Sequence, residues 1–575
     1  MRTRRRGRRY YVPDIDIDMD AVGMLVKRVI YILCFVWLCY LDHIIGTATG
    51  FIQFSLKNYT GVVIGIIILT AYKPKDFLKV PYYIWLALFF ISRLLALNWA
   101  KDNVVNIGEF ESIIWNVGIY GVIIIRMFYG WIVERKRVHM KWPAFSVWLI
   151  WMLLMVIAGK GVAWPKWFLL FWGCFYLTDF TKKDLNNLFM GMTEGLIIGF
   201  LLLQGYACKY RPYDMLRYEG MYSNSNINAL FYLVVYGAVL VKWYQMKLMG
   251  RSRLSRLPII TLVGILFSLT FFTMGRTALI IMILITGIFL VFQVISQNRN
   301  RIRALLVDCS VIVIAVILSF VPTYWAVRYI PALVDEPMYF EADIAKMDEK
   351  VQSGEGIDSP KYISLSDVVK SSFGRILWFL DVEKEIEEVT EEAVEVSKRS
   401  LFPTLQVYAA ETDDWDESMW DWTEYDEVYI EPGTDKWHPI MSEEEYWESP
   451  VKVRTSIYKY YVEHIRLFGK RTGEDLVWVT RDYNAPHAHN IFLQIASDFG
   501  AVASILFLGL IIMLYNTVCM GVIEKRKATK YYRLFVLAIF TTITVGFGML
   551  EMCWLYGQLP FTLLFFVQYL LYKKE

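Results

Sequence analysis

Runs of about twenty apolar residues, the length that crosses a ~30 Å hydrocarbon core, recur along this chain from Val29 to Tyr572. Such runs fold as helices in lipid, where every backbone N–H and C=O has to be bonded within the protein. Composition agrees: 56% hydrophobic and 16% aromatic residues, only 20% charged, and a mean hydropathy of +0.39 exclude water-soluble enzyme folds and disordered chains. The expectation is an all-α polytopic membrane protein.

The net charge of +3 conceals a separation. Residues 331–490 carry 36 acidic against 16 basic side chains, a net −20, which leaves +23 on the rest. The basic residues cluster in short connections: Arg2 to Arg9, Lys73 to Lys79, Arg135 to Lys141, Lys182 and Lys183, Lys247 to Arg256, Arg299 to Arg303, Lys525 to Arg533, and Lys573 with Lys574. Lys/Arg bias of this kind marks the cytoplasmic side.

Spans read between these anchors number about fourteen: 28–47, 55–72, 81–98, 112–133, 143–160, 165–180, 185–207, 227–246, 258–275, 276–296, 304–322, 490–518, 532–551 and 555–572. With the N-terminus inside, alternation puts every basic cluster and the C-terminus inside and 323–488 outside. The expected organisation is a cytoplasmic basic and acidic tail (1–27), eleven transmembrane helices (28–322), a large extracytoplasmic cap (323–488), and three further helices (489–575). No cleavable signal is expected, because the Arg-rich start is followed by Asp14, Asp16, Asp18 and Asp20 and no small-residue cleavage site follows the first span. The Arg run reads as a topogenic contact with membrane lipids, not a nucleic-acid site.

The cap contains none of the seven cysteines, so neither disulfides nor Cys-type zinc sites are expected to hold it together. Asp381 to Lys398 reads as a charged helix, and Ile457, Tyr461, Ile465 and Phe468 as the apolar stripe of a second. Trp415, Trp420, Trp422, Tyr425, Trp437 and Trp447 lie between them; they would form a small core, or stack on sugars or lipid.

Three motifs fall where helices are expected to start on the outer face: Arg217 to Asn226 with Gly220 and Asn224, Gly275-Arg276-Thr-Ala-Leu, and His487-Ala-His489-Asn490-Ile-Phe-Leu-Gln494. Gly and Asn suit tight turns, and Asn490 suits a helix cap. A helix N-terminus already carries unpaired N–H groups and about half a positive charge, so an arginine added there favours an anion. The guanidinium fork matches phosphate oxygens, which points to a phosphate or diphosphate delivered on a lipid. A carboxylate such as Glu219, or snorkelling to headgroups, is the plainer reading. His487 and His489 suit either proton transfer from an acceptor hydroxyl or a structural role. No metal site is expected, since the His-x-His pair has no defined third ligand.

These residues resemble the O-antigen ligase and O-antigen polymerase superfamily of bacterial membrane glycosyltransferases. The resemblance rests on Arg217 to Ala229, on Gly275-Arg276-Thr-Ala-Leu, on Arg454 with the stretch ending Leu467-Phe468-Gly469, and on His489-Asn490-Ile-Phe-Leu-Gln494 followed by Asp498-Phe-Gly500. Ser225 stands where that family commonly has proline, and this cap is longer and more acidic. The resemblance implies metal-independent, cofactor-free transfer from an undecaprenyl-diphosphate-linked glycan donor to a glycan or lipid acceptor. The enzyme would act outside the bacterial cytoplasmic (inner) membrane, beside other polysaccharide-assembly proteins. Arg217 and Arg276 would hold the diphosphate and His489 would be catalytic, with Arg454, His487, Asn226 and Asn490 as further candidates. Polymerisation of surface polysaccharide is preferred over ligation. A flippase would use intramembrane charges such as Arg93 and Glu194, and a transferase using polyprenyl-phosphate sugars would rest on Asp42.

Overall fold

The computed structural model describes residues 19–47, 51–102, 107–135, 142–159, 164–208, 213–214, 217–222, 225–296, 301–334, 369, 440–442, 450–472, 477–480, 484–485, 487–524, 531–547 and 558–574. The charged helix expected at Asp381 to Lys398, the Trp-rich stretch, the Arg2 to Arg9 tail, Asn224 and Cys553 lie outside the described residues. Among the described residues the structure is mostly helical. The first seven helices are α1 (Met19–Thr47), α2 (Phe51–Leu69), α3 (Val80–Asp102), α4 (Ile107–Ile132), α5 (Trp142–Ala158), α6 (Trp164–Leu177) and α7 (Lys182–Ala207). A hairpin of β1 (Tyr213–Asp214) and β2 (Arg217–Tyr218) leads into α8 (Ser225–Leu248), α9 (Arg253–Phe272), α10 (Arg276–Ser296) and α11 (Arg301–Val334). The cap contributes α12 (Pro450–His464) and a hairpin of β3 (Val477–Trp478) and β4 (Asn484–Ala485), and the chain closes with α13 (Ile491–Phe499), α14 (Ala501–Glu524), α15 (Tyr531–Thr541) and α16 (Leu559–Lys574). Nine helices among the described residues are long and apolar enough to cross a membrane, and Asn58–Leu69, Phe145–Ala158, Arg533–Thr544 and Leu559–Leu571 are shorter apolar helical stretches. This is an all-α membrane protein.

α1 and α7 run parallel in close contact because α7 presents Gly191, Gly195 and Gly199 at a spacing of four. A Cβ at these positions would lie 2.5 Å from Tyr31 Cβ, 2.7 Å from Phe35 Cβ and 2.8 Å from Cys39 Sγ, so only glycine lets the backbones meet. At the start of both helices Lys27 donates to Asp184 (2.7 Å). Deeper, Arg28 and Lys242 of α8 share Glu194, with Lys242 Nζ 2.6 Å from Oε1. Lys247 of α8 pairs with Asp308 of α11 (2.6 Å) at the same end. Of the two intramembrane charges that a transporter would use, Glu194 is thus held by two cations, and Arg93 pairs with Glu111 of α4. An aromatic stack fills the space between α5, α6, α14 and α16, where Trp172 is fully buried and packs on Phe565 and Phe566.

Three sequence expectations need correction. The run 490–518 is not one helix: α13 ends at Phe499 and α14 starts at Ala501, because Gly500 adopts φ +99. The segment after α12 is hydrogen-bonded onto this break, through Gly469 N–H to Phe499 O (3.1 Å), Arg471 N–H to Ser497 O (2.7 Å) and Ala501 N–H to Arg466 O (2.9 Å). The apolar stripe of the cap also stops early. α12 ends at His464, so Val453, Ile457 and Tyr461 form its buried row while Phe468 is exposed. That row packs with Met441, Val477, Val479, Ala485 and Ala488 into a small core separate from the main one. Burial in this core pushes the Tyr461 phenol up to about 12, although Arg471 lies over the Tyr461 ring and its charge opposes the shift. α11 runs on through Pro322 to Val334, past the boundary expected at 322.

Candidate functional site

The Arg217 hairpin, the turn before α10 and the loop before α13 meet at one end of the bundle. Arg217 lies in β2, half-buried, where its Nε donates to Thr273 O (3.2 Å) and its Nη2 to Asn226 Oδ1 (2.7 Å). Asn226 sits in the first turn of α8, so one guanidinium ties the hairpin both to the helix that follows it and to the turn that carries Arg276. The turn is tight: Met274 has φ +52, and Gly275 N–H donates to Thr273 Oγ1 (3.3 Å). A Cβ on Gly275 would stand 3.6 Å from Ala229 Cβ, which sets this turn directly against the first turns of α8. Gly220 is also fixed by geometry, with φ +63 and Asn228 so near that a Cβ would lie 2.5 Å from its Nδ2.

Arg276 opens α10 and is within electrostatic reach of both Arg454 and Arg217. Three guanidiniums from α8's leading hairpin, α10 and the cap helix thereby converge. Like charges within such reach repel one another, and a multivalent anion among them would relieve that repulsion. Glu219, the carboxylate considered for Arg217, is buried in the same hairpin.

α12 links this cluster to the histidines. Tyr458, one turn after Arg454 and on the same face, donates its hydroxyl to His489 O (3.2 Å). His489 has φ +48, a left-handed conformation uncommon for residues other than glycine. Of the three non-glycine residues at positive φ among the described residues, Met274 and His489 therefore both border this cluster. Local strain held by its surroundings is a frequent property of working sites. His487 packs edge-on to His489 with ring centroids 4.2 Å apart, and the His489 N–H donates to His487 Nδ1 (3.4 Å), which puts the proton of a neutral His487 on Nε2. Asn490 caps α13, accepting from the N–H groups of Phe492 and Leu493. Gln494 accepts from Ala488 N–H (3.0 Å) and donates to Asp498 (3.0 Å), so the Gln and Asp of the third motif brace its loop.

The structure thus brings together Arg217, Arg276 and Arg454, with Asn226 on Arg217, and joins His489, His487 and Asn490 to them through Tyr458. Sequence reasoning missed Tyr458, whose only signal was its i+4 spacing from Arg454. It also undervalued Asp42. This residue, near the C-terminal end of α1, is buried and accepts from Tyr222 Oη (2.8 Å) and from Leu559 N–H at the start of α16 (2.8 Å). Among the described residues no cluster of three or more His, Cys, Asp or Glu side chains suits a metal ion. No family model matches the chain, and no curated protein or solved structure matches it.

Proposed function

We propose that this protein is a membrane glycosyltransferase that polymerises undecaprenyl-diphosphate-linked oligosaccharide units into surface polysaccharide. The observation that supports it most is the convergence of Arg276 at the start of α10 with Arg217 of β2 and Arg454 of α12, with His489 tied to α12 one helical turn on, through Tyr458. In this reading Arg217 and Arg276 bind the diphosphate of the donor, and Arg454 adds a third positive charge from the cap. The reaction forms a glycosidic bond from the acceptor oxygen to the donor's anomeric carbon and breaks the bond from that carbon to the diphosphate. His489 takes the acceptor's hydroxyl proton, and the electron pair leaves with the diphosphate, whose growing charge the guanidiniums and helix N-termini stabilise. Energy comes from the activated donor, so no nucleotide is required.

The same reading has fourteen crossings, both termini cytoplasmic and the arginine cluster outside the cytoplasmic membrane. Alternation supports it: the contacts at Asp42, Arg217, Arg276 and Leu559 join ends of odd-numbered helices to starts of even-numbered ones, while the ion pairs Lys27–Asp184 and Lys247–Asp308 lie at the other end.

The test is to delete the gene and size the surface glycan, then complement with variants. Loss of polymer with single repeat units retained supports polymerisation; accumulation of lipid-linked polymer would indicate ligation to a lipid or wall acceptor. Arg276→Ala and His489→Ala are expected to abolish extension at normal protein level, and Arg276→Lys to restore little, because a point charge lacks the two-pronged contact. Full activity in both alanine variants would remove these residues from the mechanism.

A further inference from the structure

We propose that Asp42 is a positioning residue for the arginine cluster: through Tyr222 it clamps the Arg217 hairpin to the C-terminal end of α1 and the start of α16. The inference rests on the reading of Arg217 as a diphosphate ligand.

Three stretches remote in sequence meet at this one carboxylate. Oδ2 accepts from Tyr222 Oη and Oδ1 from the Leu559 N–H, each at 2.8 Å. Asp42 is 5% exposed and Tyr222 3%. The carboxylate therefore presents both oxygens to protein donors and occupies the N-terminus of α16, where the helix dipole favours a negative charge. It has no approach to a reacting hydroxyl, which separates it from His489. Its leverage on the site runs through five residues of backbone. Tyr222 N–H donates to Glu219 O (3.1 Å), and Gly220 at φ +63 turns the chain inside the loop that this bond closes, which begins two residues on from Arg217. The His43 ring meets Tyr222 edge-on (5.8 Å, 80°) and bonds to the Met221 backbone, so the residue after Asp42 grips the same loop. At its other end the hairpin is held by Arg217, on Thr273 O and Asn226, and by Tyr218, whose hydroxyl accepts from Gln204 Nε2 of α7 (2.8 Å). Release of the clamp leaves the guanidinium on a loop with one fewer fixed point, and the geometry that Arg217 presents to an anion broadens.

The test uses the full chain in lipid nanodiscs, with inorganic pyrophosphate as probe and binding measured by calorimetry. Tyr222→Phe keeps the buried ring and removes one hydrogen bond to a charged group, and is expected to weaken pyrophosphate binding about tenfold. Asp42→Ala is expected to weaken it at least as much. Asp42→Asn is expected to bind nearly as wild type, because its amide oxygen still accepts from Leu559 N–H and its amide nitrogen can donate to the Tyr222 oxygen. Tyr222→Phe added to Arg217→Ala is expected to cause no further loss, since the clamp acts only through Arg217. The proposal is overturned if Tyr222→Phe binds as tightly as wild type while Arg217→Ala is weakened, or if the two losses multiply in the double variant. A wild-type protein that binds no pyrophosphate, or Arg217→Ala and Arg276→Ala variants that bind it normally, would instead overturn the diphosphate reading on which the clamp depends.

Discussion

Replacing Gly500 by alanine adds one methyl group at the point where the segment after α12, α13 and α14 meet. With φ +99 and ψ 160, Gly500 occupies a region essentially confined to glycine, and forcing another residue there costs about 1–3 kcal/mol. The new Cβ would lie 2.6 Å from both Leu467 O and Phe468 Cα and 2.9 Å from Leu467 C. These are backbone atoms with no flexible end to swing aside, so the 466–469 segment has to withdraw. Withdrawal weakens the bonds from Gly469 N–H to Phe499 O and from Ala501 N–H to Arg466 O, each worth about 0.5–1.5 kcal/mol net. The expected destabilisation is about 2–6 kcal/mol, concentrated on the docking of α12 to α13. Gly509→Ala makes the same chemical change inside α14, where a Cβ meets nothing within 4 Å, and is expected to stabilise by about 0.5–1 kcal/mol. Thermal unfolding of the detergent-purified variants, followed with protease cutting of the cap, measures both effects. Equal melting of the two variants, or a cap no more protease-sensitive in Gly500→Ala than in wild type, would refute the assignment of Gly500 as the hinge that seats the cap.

Other consequences are open to measurement. Tyr458→Phe removes one hydroxyl bond to the His489 carbonyl and is expected to lower chain extension about two- to tenfold at unchanged protein level, in line with one bond of about 0.5–1.5 kcal/mol; wild-type extension rates would separate Tyr458 from the site. Glu194→Gln leaves Arg28 and Lys242 facing each other without their counter-charge and is expected to destabilise by about 2–4 kcal/mol, less than for a fully buried pair because all three side chains are partly exposed. Adding Lys242→Met is expected to recover part of the loss in the melting temperature. The neutral Tyr461 phenol contributes stability that is complete below pH 10 and is lost as pH rises through about 12, so the cap should become protease-sensitive across that window, and Tyr461→Phe should delay the change.

Much of the fold was legible because hydropathy and charge report directly on lipid. The helices begin and end close to the basic clusters, and Asn490 caps α13 as its side chain and position required. Hydropathy carries no information on φ, however. Asp498-Phe-Gly500-Ala lies in an apolar run that reads as one span, and the break becomes evident only when Gly500 is seen holding the Leu467 carbonyl where a Cβ would be. Periodicity had the same limit in the cap. Ile457 and Tyr461 are buried as the stripe demanded, but Ile465 and Phe468 continue the pattern after the helix has stopped. The Gly191, Gly195, Gly199 spacing was readable in principle, since small residues four apart form one face of a helix; hydropathy alone passes over it because glycine is nearly neutral on such scales.

The site was legible in its parts and not in its assembly, for a topological reason. Each motif lies at a helix start, and local chemistry shows what such a start favours: an anion beside Arg276, a capped turn at Asn490. Their meeting depends on which helix ends share a face and on bridges such as Tyr458 to His489 and Asp42 to Leu559, which join residues 31 and 517 positions apart. Parity settles the first: α1 and α7 start together at Lys27 and Asp184, so they end together, and the end of α1 reaches the loop that follows α7. The bridges follow from side chains whose neighbours are set by packing, and a lone Asp at the end of an apolar run looks the same whether it faces a substrate or a helix terminus. In Asp42 both oxygens meet protein donors, which makes it a structural support of the arginine cluster and leaves Arg217, Arg276, Arg454 and His489 as the groups whose removal should register first in the chemistry.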